Sequence, residues 1–171
     1  MLTRTIATRF LVPVLLSSAL LATLVSQEPK VTDDEAALQA MVTEFSRCIR
    51  EKDWEAFEVL FLDEDTPWVG VIGAEARGRA EARGMLDENG LFRVSRATFQ
   101  EQIEQGTETS DEVFENLEVV VDEGLAWMKA DYEFLSGTTV LNHGVETWDF
   151  VKTKTGWKIV SVLYSLNPGP R

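Results

Sequence analysis

From residue 33 onward, apolar side chains recur first at helical and then at strand spacing, and the changeover divides the chain in two. Ala37, Leu38, Met41, Val42, Phe45, Cys48 and Ile49 follow at steps of three and four. That spacing lays one apolar stripe along a helix of about 18 residues. Asp33 or Asp34 is its N-cap, and it ends near Lys52. Asp53 caps a second, shorter helix whose buried side is Trp54, Phe57, Leu60 and Phe61. Asp63-Glu64-Asp65 stops it, Thr66-Pro67 turns the chain, and Trp68 to Ile72 reads as a short strand. Glu75 to Gly90 alternates in charge and holds glycines at 78, 84 and 90. It reads as a loop with a helical turn, either a flap over a pocket or an exposed insertion. Ser95 caps a third helix with Phe99 and Ile103 on one face, closed by Gly106 to Asp111.

The pattern then changes period. Phe114–Asp122, Leu125–Leu135, Thr138–Lys152 and Trp157–Asn167 are strands, joined at Glu123-Gly124, Ser136-Gly137 and Lys154-Thr155-Gly156. Long strands with tight glycine turns make an antiparallel meander. Helices grouped ahead of it give an α+β architecture with the helices on one face of the sheet. The two-residue turn at Ser136-Gly137 sets a register in which His143 lies opposite Ala130, Val145 opposite Met128, and Leu141 opposite Tyr132. A bulge in this strand would change that register.

The first 26 residues interrupt this picture. Arg4 and Arg9 precede an apolar run from Phe10 to Val25, and no acid occurs before Glu28. This is the pattern of a secretory signal peptide cleaved after Ser26 or, as the second choice, after Ala22. The run is shorter than a spanning helix needs and contains Pro13. The expectation is an exported protein, periplasmic or extracellular, with one domain over residues 27–171. Without Arg4 and Arg9, 14 basic residues face 29 acids, a formal charge of −15. Nucleic acid and anionic membrane both need a basic footprint and are not expected as partners. The single cysteine, Cys48, cannot form an internal disulfide.

Five short segments narrow the fold further. Lys52-Asp53-Trp54, Trp68-Val69-Gly70, Ala130-Asp131-Tyr132-Glu133-Phe134, the Gly144-Val145 strand and Gly156-Trp157-Lys158-Ile159 together resemble the nuclear-transport-factor-2-like superfamily. Within it the chain is most similar to exported bacterial domains of the SnoaL-like or lumazine-binding type. The resemblance implies a cone: a curved antiparallel sheet packed on N-terminal helices. It also implies back-to-back homodimers. It does not imply one activity, because the fold hosts isomerases, dehydratases, hydrolases and assembly modules. Related domains often carry a histidine two residues before the glycine of the Gly-Val pair. Here that place is Asn142 and His143 follows it, so a role of that histidine does not transfer directly.

On the expected register, Ala126, Met128, Ala130, Tyr132 and Phe134 form the concave face, which His143 shares beside Tyr132. His143 and Tyr132 are therefore the candidate catalytic pair, able to bind a carbonyl or enol and move a proton. The alternative is a satisfied core pair. Met128 and Trp68 complete the candidate ligand-binding set. Trp127, Trp148 and Phe150 fall on the opposite face, a candidate dimer surface. One histidine, one cysteine and no carboxylate cluster at ligand spacing give no reason to expect a metal, and there is no phosphate loop or nucleophile elbow. No cofactor is expected. Two functions remain: binding of a small apolar molecule, with or without isomerase or dehydratase chemistry, or a dimeric interaction module with a filled cone.

Overall fold

The computed structural model describes residues 32–171. The leader expected over residues 1–26 lies outside them. Helix α1, Asp33–Glu51, is capped by Thr32 and not by Asp33 or Asp34. Thr32 and Glu35 form a reciprocal capping box (Glu35 N–H to Thr32 Oγ1, 3.1 Å; Thr32 N–H to Glu35 Oε2, 2.6 Å). The two aspartates occupy the first turn, where the helix dipole favours them. Helix α2, Trp54–Val59, is capped by Asp53, and strand β1 spans Trp68–Ile72. Helix α3, Ala74–Ala82, extends the helical turn expected within the 75–90 loop to nine residues, and the short strand β2, Phe92–Arg93, pairs with β1. Helix α4, Arg96–Gln105, is capped by Ser95. Four long strands complete the chain: β3 Ser110–Asp122, β4 Leu125–Ser136, β5 Thr139–Thr153 and β6 Gly156–Pro168.

The strands form one sheet in the order β2-β1-β6-β5-β4-β3. The meander β3 to β6 is antiparallel as its turns require, but β1 runs parallel to β6, so the sheet is mixed. Register breaks between Glu115 and Glu118, at Leu141 in β5, and near Val160 in β6 bend it over the helices. The concave face and the helices enclose an aromatic core. Phe45 of α1 sits at its centre, with ring centroids 4.7 Å from Trp148 and 5.0 Å from Phe57.

The break in β5 overturns the expected register. Gly137, at φ +58°, takes the first turn position, so Ser136 pairs with Thr139 across a Gly137-Thr138 turn. Leu135 then pairs with Val140 but Phe134 with Asn142, leaving Leu141 as an extra residue. One extra residue exchanges the two faces of everything beyond it. His143 pairs with Glu133, not Ala130, and Glu146 takes the place opposite Ala130. Trp148 and Phe150 turn inward and are fully buried, while Trp127 remains exposed on the convex face. The expected dimer surface thus loses two of its three aromatic residues.

Candidate functional site

Between the concave face and α4 lies a cavity of about 320 Å³. Its walls are mostly aromatic and aliphatic: Trp68 of β1, Phe92 and Val94 around β2, Phe99 and Ile103 of α4, and Phe134 of β4. Helix α4 is held in place by Arg96, which is buried against α2. Its guanidinium lies 2.9 Å from Glu58 Oε2, donates to the Asp63 carbonyl at 3.0 Å, and covers the Phe61 ring at 4.3 Å.

Two glycines let large side chains reach the cavity. Gly70 of β1 pairs with Tyr164 of β6, and a Cβ there would stand 2.7 Å from the Tyr164 ring. Gly144 pairs with Tyr132, and a Cβ there would stand 1.9 Å from the Ser165 carbonyl oxygen. That close approach lets the Tyr132 hydroxyl meet the Ser165 carbonyl at 2.9 Å and Asn142 Oδ1 at 3.1 Å. Both tyrosines and Asn142 line the cavity.

The reactive groups are Glu112 of β3 and Glu146 of β5, which line the same cavity and are each 5% exposed. The Trp148 indole N–H donates to Glu146 Oε2 at 2.7 Å, leaving the other carboxyl oxygen without that constraint. Glu112 is fixed through its main chain. Ser46 of α1 donates to its carbonyl at 2.6 Å, and its N–H donates to Asp111 Oδ1 at 2.9 Å. No hydrogen bond from the described residues reaches its carboxyl group. Burial pushes Glu146 up to about 7, against the Trp148 hydrogen bond. Burial, then the negative Glu146 and Asp111, holds Glu112 well above the ordinary carboxylate range. Burial, reinforced by both glutamates, raises Tyr132 and Tyr164, so both stay phenols. The cavity therefore offers one carboxyl poised to ionise near neutrality and a second held well above the ordinary carboxylate range.

Of the expected site residues, Tyr132 and Trp68 line this cavity. Met128 is buried within the core and does not line it. His143 lies on the convex face, its Nδ1 2.7 Å from the Gly169 carbonyl oxygen, so the expected His143–Tyr132 pair does not form. Glu112 and Glu146 were missed. A signal for Glu146 exists in the sequence: it is the acid that shares strand parity with Trp148 and Phe150. Among the described residues, no group of three or more His, Cys, Asp or Glu could hold a metal. No described helix is long and apolar enough to cross a membrane.

A bent sheet folded over helices, with a mostly apolar cavity carrying a few polar groups, is the NTF2-like, cystatin-like α+β fold. The family follows from the sequence: residues 30–162 match the SnoaL-like domain, and the chain belongs to that family. Among solved structures, the chain is similar to an NTF2-like protein with a cystatin-like fold from Novosphingobium aromaticivorans. The identity is 16%, the TM-score 0.57, and 78% of this chain and 81% of that one are covered. It is also similar to a protein of the NTF2-like family from Streptomyces avermitilis described as a candidate dehydratase (17% identity, TM-score 0.55, 78% and 95% covered). A third is an NTF2-like protein of unknown function from Silicibacter pomeroyi (20% identity, TM-score 0.53, 77% and 93% covered). Among curated proteins, no sequence matches the chain.

Proposed function

We propose that this protein binds a small, largely apolar molecule in the cone cavity and moves a proton on it, with Glu146 as the acid–base group. The observation that carries the reading is the pair of buried carboxyls lining one cavity, Glu146 pushed up to about 7 by burial and Glu112 held well above the ordinary carboxylate range. A base must be half-ionised near working pH to both take and return a proton. A carboxylic acid kept neutral by its surroundings can donate a hydrogen bond to oxygen as negative charge develops there. Two buried groups whose environments push their titrations apart divide those roles. The cavity volume is at the small end for ligand sites, which suits a body of one or two rings. The candidate dehydratase from Streptomyces avermitilis is consistent with such chemistry on this fold. Export belongs to the same reading and is supported by the N-terminal leader pattern.

The open cavity favours this function over an interaction module with a filled cone. The test is exchange of the α-protons of 2-tetralone in D2O, followed by NMR. The protein should accelerate exchange above buffer, with a rate that rises through about pH 7. Glu146→Gln should cut the acceleration by roughly 100-fold or more. No acceleration by the wild type, or full activity in the variant, would sink the proposal.

A further inference from the structure

The charge carried by the cavity says what kind of molecule it suits. Six aromatic rings, from Trp68, Phe92, Phe99, Tyr132, Phe134 and Tyr164, line it together with Glu112 and Glu146, and no lysine, arginine or histidine among the described residues does. Above neutrality the site holds a carboxylate with no positive partner among the described residues. Among the described residues, the indole of Trp148 is the one hydrogen-bond donor to the Glu146 carboxyl, and none reaches the Glu112 carboxyl. A buried charge without a counterion is costly, and the cost falls when a charge of opposite sign enters. Aromatic faces favour the same sign of guest, because their quadrupoles attract cations. The chain's net charge of −13 draws cations toward the molecule and repels anions before any contact is made.

We propose that the cavity's ligand is an organic cation: a protonated amine or iminium on an aromatic body of one or two rings, its nitrogen beside Glu146 and Glu112. This rests on the cavity being the ligand site and narrows what enters it. An iminium also suits proton transfer, since a positive nitrogen acidifies the adjacent carbon as a carbonyl does. The other titratable groups facing the two glutamates are Tyr132 of β4, Tyr164 of β6 and Asp111 beside Glu112. Arg50 of α1 already holds Asp111 at 2.9 Å and is not a lining residue. None of these supplies the missing positive charge.

The test is calorimetric titration of the purified protein with three indoles of matched size: tryptamine as cation, tryptophol as neutral isostere and indole-3-acetate as anion. Tryptamine should bind at least about tenfold more tightly than tryptophol, a difference of about 1.4 kcal/mol. Indole-3-acetate should bind no better than tryptophol. The tryptamine affinity should rise about tenfold from pH 6 to pH 8 as Glu146 ionises. Glu146→Gln should erase the difference between the amine and its neutral isostere. Should that variant not fold, the pH dependence of the wild type carries the same test. Equal affinity for tryptamine and tryptophol, or a tryptamine affinity that falls with pH, overturns the cation proposal and leaves the cavity as a ligand site. Absence of indole binding at millimolar concentration overturns it too. If 2-tetralone exchange is also absent, the acid–base reading falls with it.

Discussion

Gly144 decides what Tyr132 can do. In an antiparallel sheet a side chain normally stands over each inward position, and it would keep β6 at arm's length. With no Cβ, Gly144 lets the Ser165 carbonyl come close, and the Tyr132 hydroxyl proton is committed to that oxygen and to Asn142. Tyr132 is therefore a wall and an anchor, while Tyr164, over Gly70, lines the cavity with no hydrogen bond from the described residues on its hydroxyl. Gly144→Ala would drive a methyl group against backbone, which cannot move aside as a flexible side chain can. The variant should lose about 2–3 kcal/mol in urea denaturation, at the upper end for overpacking. A loss below about 0.5 kcal/mol would mean that β5 and β6 are free to separate there. Glu146 depends on its neighbours in another way. Its place beside Trp148 gives one oxygen a fixed donor at 2.7 Å and limits how far burial can raise its titration.

At the level of elements, helices with an apolar stripe and a side-chain cap were legible. The stripe from Leu38 to Ile49, the caps at Asp53 and Ser95 and the strand Trp68–Ile72 all follow from local chemistry. Helix α3 was legible only as a helical turn, because only Ala80 is buried on it, its N-cap is Gly73 with no side-chain bond, and Gly78 interrupts it. Strand β5 was readable as a strand and unreadable in register. The bulge at Leu141 is chosen by how the sheet bends over the core, a decision spread over residues far apart in sequence. That one residue hid Glu146 and promoted His143, so the fold could be read and the site could not. Glu112 was hidden because the strand signal begins only at Phe114, whereas β3 begins at Ser110. Helix α4 allows a test of element on site, since it carries Phe99 and Ile103 into the cavity wall. Ser95 Oγ accepts from the Thr98 N–H at 3.1 Å. Ser95→Ala should cost about 1 kcal/mol, read as a lower thermal midpoint. An unchanged midpoint would show that the Arg96 clamp alone sets the helix.

At the scale of the whole molecule, the acids whose titration is displaced fall into two groups with opposite effects on folding. At the surface Asp34, Glu44, Asp53, Asp87, Glu104 and Asp131 lie below the usual range, each through a hydrogen bond from a basic, amide or indole group. Such groups contribute stability that is present above their unfolded values and is lost as pH falls through their folded ones. Glu112 and Glu146 act the other way. Below the unfolded value each is protonated in both states and contributes nothing. Above it the folded state keeps a proton that the unfolded chain has released, so stability falls as pH rises, until the folded group ionises too. For Glu146, held at about 7 instead of 4.5, the loss totals about 3 kcal/mol at about 1.4 kcal/mol per pH unit. Glu112 extends the decline to higher pH. Repulsion within a chain carrying 29 acids and 16 basic residues adds to it as the acids ionise. Stability to urea should therefore peak near pH 5 and fall toward pH 8, whereas an acidic surface with ordinary core carboxyls would reach a plateau. Glu146→Gln should remove about 3 kcal/mol of that fall by taking the titrating group away while keeping its shape. If the wild type is as stable at pH 8 as at pH 5, the two glutamates are not the buried, unlike pair on which the acid–base reading depends.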